Sequence, residues 1–143
     1  MFDEPVAASP RIYNILVVEN NPADAALIHE AFLACGSLCS LTVTDTLVKA
    51  GEALRTTPFD LIISDMYLHN AESEDFIRRV RSDPKLKSLP IIVLSGSPNP
   101  RPAYEAGANA FVSKSIDADQ FFAKIKALMH FWVDIAELPR SRP

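Results

Sequence analysis

The sequence predicts an α/β protein, a three-layer α/β/α sandwich on a five-stranded parallel sheet with the strand order 2-1-3-4-5. Strand-like and helix-like segments alternate along the 143 residues, which is the pattern of successive βα units. Several strands are continuous aliphatic runs, which indicates burial on both faces and hence a parallel sheet with helices on each side. Right-handed crossovers in this doubly wound, flavodoxin-like order place the first and third strands side by side.

Composition limits the number of domains and the class of partner. A chain of this length suits one domain, which we expect over residues 12–137 between tails at 1–11 and 138–143. The net charge of -4, without a run of Lys or Arg, argues against nucleic-acid binding. We find no signal peptide and no apolar stretch of ~20 residues, so we expect a cytoplasmic protein without a membrane partner. Cys35 and Cys39 lack the spacing of a zinc site or a disulfide framework, which predicts buried thiols in a reducing compartment.

The first half of the chain contains three predicted strands separated by two helices. Residues 15–18 form the first strand, after which Asn20 or Asn21 can cap a helix. Residues 41–44 alternate apolar and polar side chains, which predicts a half-exposed strand at the sheet edge. A second helix then ends at Thr57-Pro58, and the third strand follows.

The second half contains a connection that disfavours a regular helix. Ser73 opens a third helix, which Asp83-Pro84 closes before the fourth strand. Three prolines then follow, and each lacks an amide donor and clashes with a preceding helical turn. The fourth helix should therefore be about one turn or absent, with Pro102 at best its first residue and Gly107 a natural stop.

The last helix, from about Asp117, is unusually apolar. It carries two apolar stripes where packing on one sheet requires one. The second stripe indicates either a broad core-facing helix or a contact with a partner or a second copy of the chain. The stripes are Phe121, Ile125, Leu128 and Trp132, and Phe122, Met129 and Val133.

Polar side chains stand at the carboxyl ends of four predicted strands, where sheets of this kind bind ligands. One strand ends on Glu19 and Asn20, and three others end on Asp65, Ser95 and Lys114. Glu19 and Asp65 could supply the carboxylates of a Mg²⁺ site, beside which Lys114 could bind phosphoryl oxygens and Ser95 could donate a hydrogen bond. Asp65 could then attack a phosphorus centre. Each residue alone suits an ordinary turn, cap or surface position, but their joint placement favours phosphoryl transfer.

The chain resembles the receiver domain of two-component response regulators over roughly residues 12–137. The segments that carry the resemblance are ILVVENNPADA at 15–25, FDLIISDMYL at 59–68, LPIIVLSGS at 89–97 and GANAFVSKS at 107–115. The long last helix, with Phe131-Trp132 and Leu138-Pro139, is similar to that of stand-alone receivers that partner bacterial phytochromes.

The resemblance implies a role for each matching residue. Asp65 would accept phosphate from a histidine kinase, and Lys114 would be the invariant lysine of the family. The metal ligands would be Glu19, Asn20, Asp65 and the backbone carbonyl of Tyr67, while Ser95 and the aromatic Phe111 would form the switch.

Four departures from the family pattern bear on these roles. Asn20 stands where the acidic pair normally has an aspartate, so Mg²⁺ affinity should fall. The usual Pro and Gly after the phosphoacceptor are replaced within residues 69–73, where His69 suits a solvated loop position. Ser115 replaces the usual cis proline after Lys114, so this peptide bond should be trans. The shortened fourth helix alters a surface that the family commonly uses to signal.

The leading hypothesis is a single-domain response regulator, phosphorylated on Asp65 with Mg²⁺, that signals by protein contact through the last strand and helix. A homodimer through the last helix is a further hypothesis, in which Phe121, Phe122, Phe131 and Trp132 would form the contact. It would not be an enzyme, apart from phosphorylating and dephosphorylating itself. The alternative is a receiver-like scaffold that binds partners constitutively and no longer switches. A phosphatase would need a second aspartate at Tyr67. A flavin carrier would need a phosphate-binding loop at residues 19–22.

Overall fold

The computed structural model describes residues 12–34, 38–68 and 71–139. Five parallel strands form one sheet, and a short antiparallel ribbon follows its third strand. In chain order the strands are β1 (Ile12–Val18), β2 (Leu38–Thr44), β3 (Leu61–Asp65), β4 (Tyr67–Leu68), β5 (Ala71–Glu72), β6 (Ile91–Ser95) and β7 (Ala110–Ser113). The sheet order β2-β1-β3-β6-β7 confirms the predicted 2-1-3-4-5 topology, because β4 and β5 belong to the ribbon.

Helices cover both faces of the sheet, as predicted. They are α1 (Pro22–Leu33), α2 (Leu47–Thr56), α3 (Glu74–Ser82), α4 (Arg101–Ala106) and α5 (Ala118–Met129), which continues as a π-helical segment at His130–Ile135. Alternate residues of β1 point to opposite faces of the sheet and pack into two separate core layers. Leu16 and Val18 pack towards α2, α3 and α4, whereas Ile15 and Val17 pack towards α1 and α5.

The start of α1 lies directly beside the end of β1. The side chain of Asn21 accepts hydrogen bonds from the backbone N–H groups of Ala23 and Asp24, at 2.9 and 3.2 Å. Asn21, rather than Asn20, is therefore the cap, and it orients the first turn of α1.

The exposed edge strand β2 departs from the predicted alternation at its end. Val43 is 46% exposed, whereas Thr44 is buried. The Thr44 hydroxyl donates to the Val17 carbonyl, and its own carbonyl accepts from the Glu19 N–H at 2.9 Å. The prediction was wrong here because Thr44 turns inward to bind the end of β1.

The fourth helix is short, as predicted, and ends at a left-handed glycine. It spans six residues and places Pro102 second rather than first, which is tolerated because the first helical N–H groups have no partner within the helix. Gly107 has φ 116°, and a Cβ there would lie 2.7 Å from Arg81 Cγ. Arg81 crosses this glycine and donates to the carbonyls of Gly107 and Leu89.

The second apolar stripe of α5 belongs mostly to the core. Met129 and Val133 are buried together with Phe121, which is only 2% exposed. The expectation that Phe121 reaches a partner is therefore wrong. The exposed apolar residues of this segment are Phe131 and Ile135, at 50% and 57%.

The remaining predictions concern a peptide bond, the two cysteines, a histidine, the tails and membrane spans. Within the described ranges no peptide bond is cis, so the Lys114-Ser115 bond is trans as predicted. Cys39 is half-buried rather than buried. Cys35, His69 and the tails at 1–11 and 140–143 lie outside the described residues. Over the part of the chain that the structure covers, no helix combines the length and the hydropathy of a membrane span.

Candidate functional site

The carboxyl ends of β1, β3 and β7 bring three of the predicted site residues into direct contact. Because β1 and β3 are neighbours, with Val18 opposite Ser64, Glu19 lies beside Asp65. Lys114 Nζ lies 2.6 Å from Glu19 Oε1 and 3.0 Å from Asp65 Oδ2. A cluster of two carboxylates and one ammonium group therefore stands at the end of the sheet.

Asp24 joins this cluster and was missed from the sequence. Its Oδ2 lies 2.9 Å from Lys114 Nζ, so this one ammonium group contacts three carboxylates. An acidic residue in the first turn of a helix is ordinarily explained by the helix dipole, and that explanation needs no partner. The available signal was the cap at Asn21, which aims the first turn of α1 at the strand ends.

Lys114 is held at both its backbone and its side chain. Its N–H donates to the Ser95 carbonyl at 2.8 Å, which fixes the end of β7 against β6. Burial alone would lower the pKa of Lys114, but its hydrogen bonds to Glu19, Asp24 and Asp65 outweigh burial and raise the pKa. The side chain is therefore a permanent cation at the centre of the cluster.

Glu19 has an unusually high pKa for a carboxyl group. Burial raises its pKa to about 7, although Lys114 opposes the shift and the negative charge of Asp65 adds to it. The side chain is 2% exposed, and Oε2 accepts from the Asn21 N–H at 3.3 Å. Lys114 carries one positive charge, whereas Asp65 and Glu19 together can carry two negative charges. Near neutral pH, where Glu19 begins to ionise, the cluster therefore has an excess of negative charge.

The two predicted switch residues lie apart from the ammonium cluster. Ser95 is fully buried at the end of β6, and its hydroxyl accepts from the Ser97 N–H at 3.1 Å. Phe111 is half-buried against the core beneath α2, α3 and α4, and its N–H donates to the Tyr104 hydroxyl. Ser95 ends β6, whereas Phe111 lies two residues before the end of β7, and neither takes part in the hydrogen bonds of Lys114 with Glu19, Asp24 and Asp65.

The donor chemistry of the crevice suits a hard divalent cation. Glu19 and Asp65 supply carboxylate oxygens, and Tyr67 in β4 follows Asp65 by two residues and offers a backbone carbonyl. Mg²⁺ prefers oxygen ligands and uses one or two carboxylates together with water. Among the described residues, no group of three His, Cys, Asp or Glu side chains is arranged to hold a metal ion. The residue after Glu19 is the neutral Asn20. The carboxylates of Glu19, Asp24 and Asp65 are bound to the ammonium group of Lys114.

Comparison with known proteins gives one family and several close folds. The model of the response regulator receiver domain matches residues 15–126. Response regulator Rcp1 of Synechocystis sp. is 25% identical over 140 residues, which cover 89% of this chain and 93% of Rcp1.

The similar solved structures agree with the sequence comparison. The phosphorylated cyanobacterial phytochrome response regulator RcpA superposes with a TM-score of 0.85 at 29% identity, over 90% of this chain and 99% of RcpA. The Mn²⁺-bound form of Rcp1 gives a TM-score of 0.83 at 25% identity, over 89% of this chain and 99% of Rcp1.

Proposed function

We propose that this chain, which belongs to the response regulator receiver domain family, accepts a phosphoryl group on Asp65 from a histidine kinase and signals by contact with another protein. The observation that carries the proposal is the 3.0 Å contact between Lys114 Nζ and Asp65 Oδ2 at the carboxyl ends of the strands. This contact pairs a carboxylate nucleophile with a fixed cation that can bind the incoming phosphoryl oxygens.

The transfer follows from the chemistry of the paired groups. An Asp65 carboxylate oxygen attacks phosphorus while the P–N bond of the phosphohistidine breaks, and the electron pair returns to the imidazole nitrogen. Lys114 turns from the carboxylates to the phosphoryl oxygens and compensates their charge. Attack by water on the acyl phosphate later restores the carboxylate and releases orthophosphate.

Mg²⁺ would be held by Glu19, Asp65 and the Tyr67 carbonyl. When bound, it supplies positive charge that offsets the carboxylates and the phosphoryl group. The similar regulator Rcp1 has been solved in a Mn²⁺-bound form, which supports the binding of a divalent ion by this chain. Asn20 offers a neutral amide oxygen in place of a charged one, so we expect weaker Mg²⁺ binding than an aspartate would give.

The output is proposed to pass through β7 and α5. Phe131 and Ile135 are exposed apolar side chains on the π-helical segment, and Phe122 and Trp132 are half-buried beside them. A downstream protein or a second copy of the chain could cover this surface. Light scattering at high protein concentration, with and without beryllofluoride, tests the homodimer, and a monomer in both conditions would exclude it.

Direct phosphorylation is the decisive experiment. The full chain is incubated with acetyl phosphate and Mg²⁺, and its intact mass is measured. Transfer breaks the P–O bond to acetate and should add one phosphoryl group, which Asp65→Asn should abolish. Ser82→Ala, on the exposed face of α3, is the control that should label normally. Absence of labelling by acetyl phosphate and by a cognate kinase would refute the proposal.

The constitutive scaffold is the less favoured alternative. Ser115 and Asn20 suggested it, but Lys114 reaches Asp65 despite the trans bond that follows. A Mg²⁺ titration separates the two functions. Absent Mg²⁺ binding that Asn20→Asp restores would favour the scaffold, whereas binding by the unaltered chain favours phosphorylation. We expect a cytoplasmic location, where the kinase has its phosphohistidine, and no turnover of a separate substrate.

A further inference from the structure

We propose that Ser73 is a positioning residue that fixes the peptide group following the phosphoacceptor Asp65. The inference rests on the proposed function, since it concerns how Asp65 is kept in place for phosphoryl transfer. It assigns a purpose to a buried hydroxyl that the phosphoryl-transfer chemistry above does not use.

Ser73 binds two successive carbonyl groups at the end of β3. Its hydroxyl donates to the Asp65 carbonyl, and its backbone N–H donates to the Met66 carbonyl at 2.8 Å. The residue is fully buried, so water does not compete for these bonds. A single residue therefore holds both peptide groups through which the chain leaves Asp65.

A second hydroxyl acts on the same carbonyl oxygen. Ser64, the residue before Asp65, is also fully buried, and its hydroxyl donates to the Asp65 carbonyl at 2.9 Å. A carbonyl oxygen has two lone pairs, and the two serines use both. The double bond character of the peptide then fixes the whole Asp65-Met66 unit once this oxygen is held.

Ser73 stands at the N-terminus of α3 without acting as its side-chain cap. Within the described part of the chain, its hydroxyl makes no hydrogen bond to the first turn of the helix, although its carbonyl accepts from the Ile77 N–H. A serine at this position ordinarily caps the helix. Here the hydroxyl is directed at Asp65 instead, so its hydrogen bond joins α3 to the phosphoacceptor.

The anchor is rigid because α3 is packed into the core. Phe76, Ile77 and Val80 bury the helix against the sheet. The antiparallel pairing of Tyr67 with Glu72 lies directly before Ser73 in the chain. Asp65 is thereby held from the α3 side while Lys114 holds its carboxylate from the β7 side. Loss of the Ser73 hydroxyl should loosen this placement without removing any group that touches phosphate.

Beryllofluoride, an analogue of the phosphoryl group, tests this role in the full chain with Mg²⁺. We expect Ser73→Ala to weaken beryllofluoride binding about tenfold and to slow labelling by acetyl phosphate similarly, since small misplacements of reacting groups are costly. The matched control is Ser82→Ala, which removes a hydroxyl-to-carbonyl bond at 2.8 Å from the exposed face of the same helix. Its affinity should stay within about twofold of the unaltered chain, as expected for an exposed site.

A double variant shows whether the two hydroxyls act together. If removing one hydroxyl is enough to free the Asp65-Met66 peptide, removing the second should add little. The Ser64→Ala/Ser73→Ala double variant should then lose less beryllofluoride affinity than the product of the two single-variant losses. Multiplicative losses, or a Ser73→Ala affinity equal to that of Ser82→Ala, would overturn the inference. Thermal unfolding is measured alongside, because a purely structural role lowers the midpoint and leaves the affinity of the folded protein unchanged.

Two further outcomes keep the test decisive. Should Ser73→Ala fail to fold, Ser73→Cys keeps a side chain of similar shape with a weak donor, and unaltered affinity in that variant would refute the role of the hydroxyl. Should the unaltered chain neither bind beryllofluoride nor accept phosphate, the proposed function fails and the inference fails with it. If the unaltered chain is labelled normally and the Ser73 variants are labelled equally well, the inference is refuted and the proposed function is kept.

Discussion

Asp24 Oδ2 and Lys114 Nζ lie 2.9 Å apart although 90 positions separate the two residues in the chain. The contact joins the first turn of α1 to the end of β7. It brings a third carboxylate to an ammonium group that also contacts Glu19 and Asp65. The crevice therefore contains three acidic side chains even though the position after Glu19 is the neutral Asn20.

Asp24→Asn should weaken Mg²⁺ binding by about three- to tenfold, because it removes one negative charge beside the ion in a partly exposed site. The measurement is calorimetric titration of the full chain at low and moderate salt. Asp45→Asn is the matched control, since Asp45 also pairs with a lysine at 2.9 Å but is exposed and lies just before α2. Equal affinities in the two variants would show that Asp24 contributes nothing to the ion.

Asn20→Asp should strengthen Mg²⁺ binding by about tenfold, since a charged oxygen replaces an amide oxygen next to Glu19. The same titration measures it. Without Mg²⁺, the added carboxylate should lower the melting temperature, because four acidic groups would then share the charge of Lys114. An unchanged Mg²⁺ affinity together with an unchanged melting temperature without metal would show that residue 20 points away from the cluster.

The convergence of Glu19, Asp65 and Lys114 could be predicted because aliphatic runs identify the strands and parallel strands end at one edge. Asp24 was missed, because the cap at Asn21 directs the first turn of α1 towards the strand ends but does not show which side chain of that turn reaches Lys114. Ser73 opens α3 as predicted, but the partner of its hydroxyl could not be predicted, because the local sequence is the same whether the hydroxyl binds the helix or Asp65. Met129 and Val133 looked available to a partner, but α5 buries a wider face than one stripe. The two-residue strands β4 and β5 are too short to give a periodic signal.

Gly107→Ala should lower the free energy of unfolding by about 2–4 kcal/mol, because a side chain in left-handed backbone adds strain to a steric clash. The added Cβ would lie 2.7 Å from Arg81 Cγ, within the side chain that binds the Gly107 carbonyl. Urea denaturation measures the loss. Gly51→Ala is the control, since a Cβ at that position in α2 meets nothing within 4 Å. It should raise stability by about 0.5–1 kcal/mol, and equal effects at both glycines would contradict the Arg81 geometry.

The raised pKa of Glu19 predicts how stability changes with pH in the absence of metal. The pKa is about 7 in the folded protein against an ordinary value of 4.5, chiefly because the carboxyl is buried. Between these values the folded protein retains a proton that the unfolded chain releases, so stability falls as pH rises. The contribution is complete below about pH 4.5, is lost through pH 7, and amounts to about 2–3 kcal/mol. Lys114, with its raised pKa, stays charged throughout and adds no slope in this range.

Glu19→Gln isolates this effect, because glutamine resembles the protonated carboxyl and does not titrate. We expect the two proteins to have similar free energies of unfolding at pH 5 and the glutamine variant to be the more stable by about 2 kcal/mol at pH 8. Denaturant unfolding in the presence of a chelator measures both. Excess Mg²⁺ should narrow the gap at pH 8, since a bound cation stabilises the ionised carboxylate that only the unaltered chain has. Parallel pH profiles for the two proteins would mean that Glu19 is ionised at pH 5, and the charge excess that favours a cation in this crevice would then have to come from Asp24 and Asp65.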